Sequence, residues 1–159
     1  MPLRAIRNAA ILLAAVVTIG CDRVTKHVAM TTLPGVASQS FLADTNRVVY
    51  TENPGGFLGA GADMHPTART LLFTVLTGLC LLAMAAGALM RRWNAVAALG
   101  LALFLAGGAS NWYDRVARGS VVDFLNVGLG PVRTGIFNAA DVAIMLGAVL
   151  FVFGEVRRK

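Results

Sequence analysis

From Leu71 to Met90 the chain runs twenty residues without a charged side chain. That is the length a helix rising about 1.5 Å per residue needs to cross a hydrocarbon core of about 30 Å. Three further apolar stretches, about 9–30, 95–113 and 136–154, come close to the same length. A backbone in lipid has no water to bond to, so segments of this length and polarity are helices. The expected fold is an all-α membrane protein of four transmembrane helices, with residues 1–159 forming a single integral membrane domain. Composition agrees: 57% of the residues are hydrophobic and only 14% charged, where a soluble domain carries roughly a quarter, and the mean hydropathy is +0.69. The net charge of +6 does not point to nucleic acid, because no basic patch is interleaved with aromatics.

The placement of the charges accounts for the excess. If both termini share a side, that side holds Arg4, Arg7, Arg91, Arg92, Arg157, Arg158 and Lys159, packed into three short segments against the helix ends. The other side holds Arg23, Lys26, Arg47, Arg69, Arg115, Arg118 and Arg133, spread over longer segments and mixed with seven of the eight acids. The positive-inside rule weighs short juxtamembrane segments, which puts both termini in the cytoplasm. Met1 to Cys21, with Arg4 and Arg7 before an apolar run, has the layout of a cleavable lipoprotein signal. Three more spans follow Cys21, so the first helix is expected to stay uncleaved. The segment 31–68 then lies outside. Within it Arg47-Val48-Val49-Tyr50-Thr51 has strand composition, and a small extracytoplasmic β-rich surface domain is expected there. Gly55, Gly56, Gly59 and Gly61 suggest a mobile flap. Cys21 and Cys80 read as free packing thiols, and His27 and His65 stand alone, so no metal and no cofactor are expected.

Polar residues gather at the outer ends of the spans: Asp22 and Lys26 near the end of the first, Asn53 before the second, Asn111, Asp114 and Arg115 closing the third, Asn138 and Asp141 opening the fourth. Asp22 and Lys26 are four apart, as are Asn111 and Arg115, so each pair shares a helix face. Each alone reads as an interfacial cap or ion pair; together, at one depth with Asp123 beside them, they read as a site. Val121-Val122-Asp123-Phe124 leads into a short loop, and Asp141 follows eighteen positions after Asp123 inside an apolar segment. An ionisable group at mid-bilayer costs about 2.5–3.5 kcal/mol on insertion scales, less near the surface. Two carboxylates sharing one proton provide a base and an acid, the chemistry of an aspartic peptidase. A transporter would place acids or broken helices near the midplane, and the middles of the second and third spans carry none. A purely structural subunit would need no such cluster.

Five blocks carry a resemblance: Asp22-Arg23-Val24-Thr25-Lys26; Asn53-Pro54-Gly55-Gly56-Phe57; Gly107 through Arg115, containing Ser110-Asn111-Trp112-Tyr113-Asp114; Val122-Asp123-Phe124; and Phe137-Asn138-Ala139-Ala140-Asp141. In this order, over nearly the whole chain, they resemble the lipoprotein signal peptidases (signal peptidase II). Ser110 departs from the glycine more usual there, but it is also small enough for close helix approach. The resemblance implies an aspartic endopeptidase of the bacterial inner membrane, active at its outer face. It would remove signal peptides from diacylglyceryl-modified prolipoproteins, cutting before the lipidated cysteine, and act as a monomer surrounded by membrane lipid. By motif, Asp123 and Asp141 would be the catalytic dyad, and Asn53, Asn111, Arg115 and Asn138, with Gly55 of the glycine segment, would line the substrate site. Asp22 and Lys26 are counted with that site, although their motif reads more readily as structural or lipid-contacting.

Overall fold

The structure, a computed structural model, describes residues 2–56 and 59–157. Four helices dominate: α1 (Pro2–Thr32), α2 (Pro66–Met90), α3 (Ala95–Arg118) and α4 (Ala139–Val156). All four are long and apolar enough to cross a membrane. Four strands, β1 (Gln39–Phe41), β2 (Asn46–Asn53), β3 (Val121–Leu129) and β4 (Val132–Arg133), form an antiparallel sheet in that order at one end of the bundle. The expected class, a helical membrane protein with a small β-rich unit, is what forms. Of the motif and terminal residues named above, Met1, Phe57, Arg158 and Lys159 lie outside the described residues.

The helix limits depart from the hydropathy limits for local reasons. α1 starts before Ala9 and runs unbroken through Asp22, Arg23 and Lys26, because the two charges that face the bundle, Asp22 and Lys26, find partners there. α3 continues past Tyr113 to Arg118 and stops at Gly119, whose φ of 76° only glycine adopts without strain, its N–H closing on the Arg115 carbonyl. α4 begins at Ala139 rather than Ile136. Phe137 is used instead to bridge Leu125, donating its N–H to that carbonyl at 2.8 Å.

Val121 to Phe124 does not lead into a short loop: it opens the nine-residue strand β3, one of the two inner members of the sheet. It pairs with β2 from Val127 to Val121 through a bulge between Val48 and Thr51. Its first four residues are buried, with Val122 and Phe124 packed against Ala29 of α1. Burial on both sides of these four residues removes the apolar–polar alternation that marks a strand in sequence.

α3 is the central helix, and glycines set its distance to α4. A Cβ on Gly147 would sit 2.5 Å from the Phe104 nitrogen and 2.6 Å from the Gly100 carbonyl oxygen; one on Gly107 would sit 2.5 Å from the Ala140 carbonyl oxygen. Small residues of this kind let helix backbones approach where lipid supplies no hydrophobic drive. On the other side of α3, Trp112 lies over Gly78 and donates its indole N–H to the Thr74 carbonyl at 2.8 Å. Thr74 belongs to 70–76, where α2 widens into a π-helical turn. Large apolar side chains such as Leu12, Leu82, Leu89 and Val149 point outward, as lipid-facing helices require. Cys21 and Cys80 are free, but both face outward rather than packing inside.

Overpacking at the α3–α4 seam costs about 1–3 kcal/mol. At about 2–4 °C per kcal/mol for a chain of this size, Gly147→Ala should lower the melting temperature in detergent by roughly 3–10 °C. Gly87→Ala, where an added Cβ meets nothing within 4 Å, should leave it unchanged or slightly raised. Equal melting of the two variants would mean that the seam tolerates side chains.

Candidate active site

Asp123 and Asp141 come from different kinds of structure and meet at the sheet end of the bundle. Asp123 is held by β3 and is 2% exposed. Asp141 sits in the first turn of α4, where Asn138 is the N-cap. The Asn138 carboxamide oxygen accepts from the Asp141 N–H at 3.0 Å, and Asp141 Oδ2 accepts from the Asn138 N–H at 3.1 Å. This is a capping box closed by aspartate in place of the usual Glu or Gln. The position also suits a carboxylate, since the N-terminal end of a helix is its positive end.

The same Asn138 reaches the other aspartate. Its side-chain NH₂ donates to Asp123 Oδ1 at 2.6 Å, while Asn53 donates to Asp123 Oδ2 at 3.0 Å. Asn111 donates to Asp141 Oδ1 at 2.9 Å. Each of the four carboxylate oxygens therefore accepts one amide hydrogen bond, three from side chains and one from the backbone. Among the described residues, neither carboxylate forms an ion pair within 4 Å. Burial pushes Asp123 up to about 6 from 3.8; the Asn53 hydrogen bond opposes that shift, and the neighbouring Asp141 adds to it.

Both aspartates line a cavity of about 320 Å³ together with Asn53, Asn111 and Arg115, closed on its apolar side by Phe73, Ile144 and Val121. Asn53 also shapes the turn beside it, accepting from the Gly55 N–H and donating to the Gly56 carbonyl, both at 2.9 Å. Arg115 fastens the turn to α3 by donating to the Gly55 carbonyl at 2.7 Å. Gly55 and Gly56 are needed for space rather than for freedom. A Cβ on Gly55 would meet the Ala60 carbonyl oxygen at 2.5 Å, and one on Gly56 would meet the Phe73 ring at 2.7 Å. The positive φ values belong to Gly59 and Gly61, at 82° and 74°. The expected flap is, at Gly55 and Gly56, a closely packed turn.

Behind the cavity lies a buried ionic layer. Lys26 Nζ donates to Asn111 Oδ1 at 2.6 Å and pairs with Asp22 at 2.7 Å and Asp114 at 2.8 Å. Asp22 in turn accepts from Ser110 Oγ at 2.6 Å and from the Ala140 N–H at 3.0 Å, capping α4 from across the bundle. Asp114 also receives Arg23 and Arg118, each at 2.6 Å. Asp22 and Lys26 have no exposed surface. Their place among the substrate-lining residues is therefore corrected: their polar atoms are taken up by protein, and they support the site from behind. Asn138, also fully buried, touches both aspartates without lining the cavity.

Sequence reasoning missed Phe73, Thr77, Gly108 and Ile144 as lining residues. They are ordinary members of apolar helices, and no polar signal marks them. Ser110 carried a signal in its spacing: it lies four positions before Asp114 and on its face of α3.

The raised Asp123 has a consequence for stability. The folded chain binds this proton more tightly than the unfolded chain does, so its contribution is complete below about pH 3.8. It is lost as pH rises toward about 6 and absent above that. The melting temperature in detergent should fall between pH 4 and pH 7, and Asp123→Asn should remove that part of the slope. A slope unchanged in the variant would assign it to other groups.

Comparisons with known proteins place the chain in a family. The family model described as Signal peptidase (SPase) II matches residues 14–157. A lipoprotein signal peptidase of Desulforapulum autotrophicum is 33% identical over 155 residues, covering 92% of this chain and 91% of its own. One from Solibacter usitatus is 32% identical over 143 residues, covering 87% and 85%. A bacterial membrane enzyme solved by the in meso method superposes with a TM-score of 0.81 at 24% identity, covering 94% of this chain and 88% of its own, and shares the fold. The chain is a multi-pass membrane protein and belongs to the signal peptidase II family.

Proposed function

We propose that this chain is an aspartic endopeptidase that removes signal peptides from diacylglyceryl-modified prolipoproteins, cutting before the lipidated cysteine, with Asp123 and Asp141 as its catalytic pair. The observation that carries the reading is the shared cavity. Two carboxylates there are linked through one asparagine, each oxygen oriented by an amide donor and neither neutralised by a cation within ion-pair distance.

Such a pair holds one proton between its members and titrates as a unit. The ionised member takes a proton from a water molecule, whose oxygen attacks the carbonyl carbon preceding the lipidated cysteine. The protonated member hydrogen-bonds the carbonyl oxygen as it gains charge. The tetrahedral intermediate then collapses: the C–N bond breaks, and the departing amine receives the proton taken from water. The four amide donors orient both carboxylates before substrate arrives, and Lys26 fixes Asn111 through its carbonyl oxygen so that the Asn111 NH₂ faces Asp141. The apolar wall of Phe73 and Ile144 suits a peptide delivered from lipid.

The location follows the same logic. The end opposite the aspartates carries Arg4, Arg7, Arg91, Arg92 and Arg157 in short flanking segments, which supports a cytoplasmic assignment there, an outward-facing site and residence in the bacterial inner membrane. Reporter fusions after Trp93 and after Val127 should report opposite sides of the membrane; the same side for both would overturn this arrangement.

Cleavage of a diacylglyceryl-modified precursor in detergent tests the chemistry. Asp123→Asn and Asp141→Asn should each lower turnover about 100- to 10,000-fold while the proteins still insert and melt cooperatively. Asparagine preserves shape and one accepting oxygen, gives up the other acceptor, and supplies neither base nor acid. Asp63→Asn, at an exposed loop position, should remain active. kcat/KM should be bell-shaped in pH, because the proton shared by the pair must be neither lost nor doubled. Near-normal cleavage by either variant would remove that residue from the mechanism.

A further inference from the structure

A second and larger cavity lies at the opposite end of the bundle. It measures about 730 Å³ and runs between the first half of α1 and the facing parts of α2 and α3, within the size range of small-molecule sites, roughly 300–1,000 Å³. It exists because α1 is held at one end only. The ionic layer at Asp22 and Lys26 fastens its C-terminal half, whereas from Leu3 to Cys21 no residue is buried. Opposite this free half, α3 presents Ala98, Ala102 and Ala106, side chains too small to fill the gap.

The mouth of the groove differs sharply in character from its depth. Arg4, Arg7, Arg91 and Arg92 line the rim. Arg7 also bonds Asn8 at 3.1 Å, and Arg91 pairs with Glu155 at 2.9 Å. Glu155 is the single acidic side chain in the segments flanking this end of the bundle, against four rim arginines. Below the rim the walls are apolar, including Leu12, Ile19 and Leu105. From Arg4 to Ile19 the groove follows α1 for about 22 Å, fifteen residues at about 1.5 Å each.

We propose that this groove binds an anionic phospholipid of the leaflet opposite the aspartates, with its phosphate at the rim arginines and an acyl chain along the alanine floor. Basic pockets between membrane helices recognise anionic headgroups by charge, and guanidinium forks match phosphate geometry. Charge also separates this occupant from its rivals. A second copy would bring the same basic end, and a signal peptide would bring its own positively charged leading segment; both meet repulsion at the rim. A soluble anion would leave the apolar length unused. The positive-inside rule explains basic residues in these segments but not their convergence on one groove.

The test uses the purified full chain in neutral detergent. It is titrated with dioleoylphosphatidylglycerol or dioleoylphosphatidylcholine, and retained lipid is read by native mass spectrometry. The anionic lipid should be retained at about tenfold lower concentration than the zwitterionic one. R4Q/R7Q, on a stretch of α1 with no buried residue, should erase the preference while leaving weak retention of both lipids. Ala102→Phe, which keeps every rim charge, should weaken both. Equal retention of the two lipids by the unsubstituted chain would overturn the proposal, as would a preference that survives R4Q/R7Q. Retention indifferent to Ala102→Phe, competition by inorganic phosphate alone, or conversion to dimers in place of lipid adducts would each overturn it as well.

Discussion

Lys26 holds its ammonium group in the centre of the bundle with no exposed surface, and the rest of the site depends on how that charge is met. Its three partners are Asp22 one helical turn away and Asp114 and Asn111 on α3. Asp22 reaches on to the first turn of α4. One cation thus ties three helices at a single depth. Removing one partner from a buried pair of this kind costs about 3–5 kcal/mol, because the other charge is left without compensation. Such a layer is a costly way to gain stability, but it is directional. It sets the rotation of α1 and α3 and the height of the α4 N-terminus, where apolar packing in lipid discriminates weakly between neighbouring registers.

From that layer the orientation of the proposed dyad follows in short steps. Lys26 occupies the Asn111 carbonyl oxygen, which turns the Asn111 NH₂ toward Asp141. Asn138 caps α4 with its backbone and side-chain oxygen and spends its NH₂ on Asp123. Asp141 is therefore a helix-capping residue and a proposed catalytic residue at once. The capping reading and the functional reading do not compete, because the cap uses Oδ2 and leaves Oδ1 to Asn111. Glycines at the α3–α4 seam allow the approach that makes these bonds possible. Fixed amide donors, set before any substrate binds, are what a reaction needs to avoid reorganising its surroundings as charge moves.

The two ends of the molecule consequently differ in kind. At the sheet end, the buried aspartates, asparagines and Lys26 bond to one another and the cavity is small. At the other end the charges are surface arginines, α1 has no buried contact, and a larger groove is left open. A long helix fastened at one end leaves lipid to fill the space along its free half.

Much of this was legible in the amino-acid order. Four charge-poor stretches of about twenty residues leave a chain no alternative to spanning helices, because the backbone must bond itself in lipid. The spacing of Asp22 with Lys26 and of Asn111 with Arg115 placed pairs on shared faces, and Asp123 and Asp141 stood out as carboxylates in apolar surroundings. What the linear order could not express was the assembly. Strand β3 is buried on both faces, so it lacks the alternation that marks a strand. Asp22 and Lys26 looked like site residues at the right depth, and only the packing of α1 on α3 turned them away from the cavity. Gly55 looked like a hinge until the nearness of the Ala60 carbonyl showed a residue chosen for its lack of a side chain. Composition and period determine which segments enter the membrane. Which polar groups face each other there depends on contacts between residues as much as 118 positions apart, such as Asp22 and Ala140, and those exist only once the helices have docked.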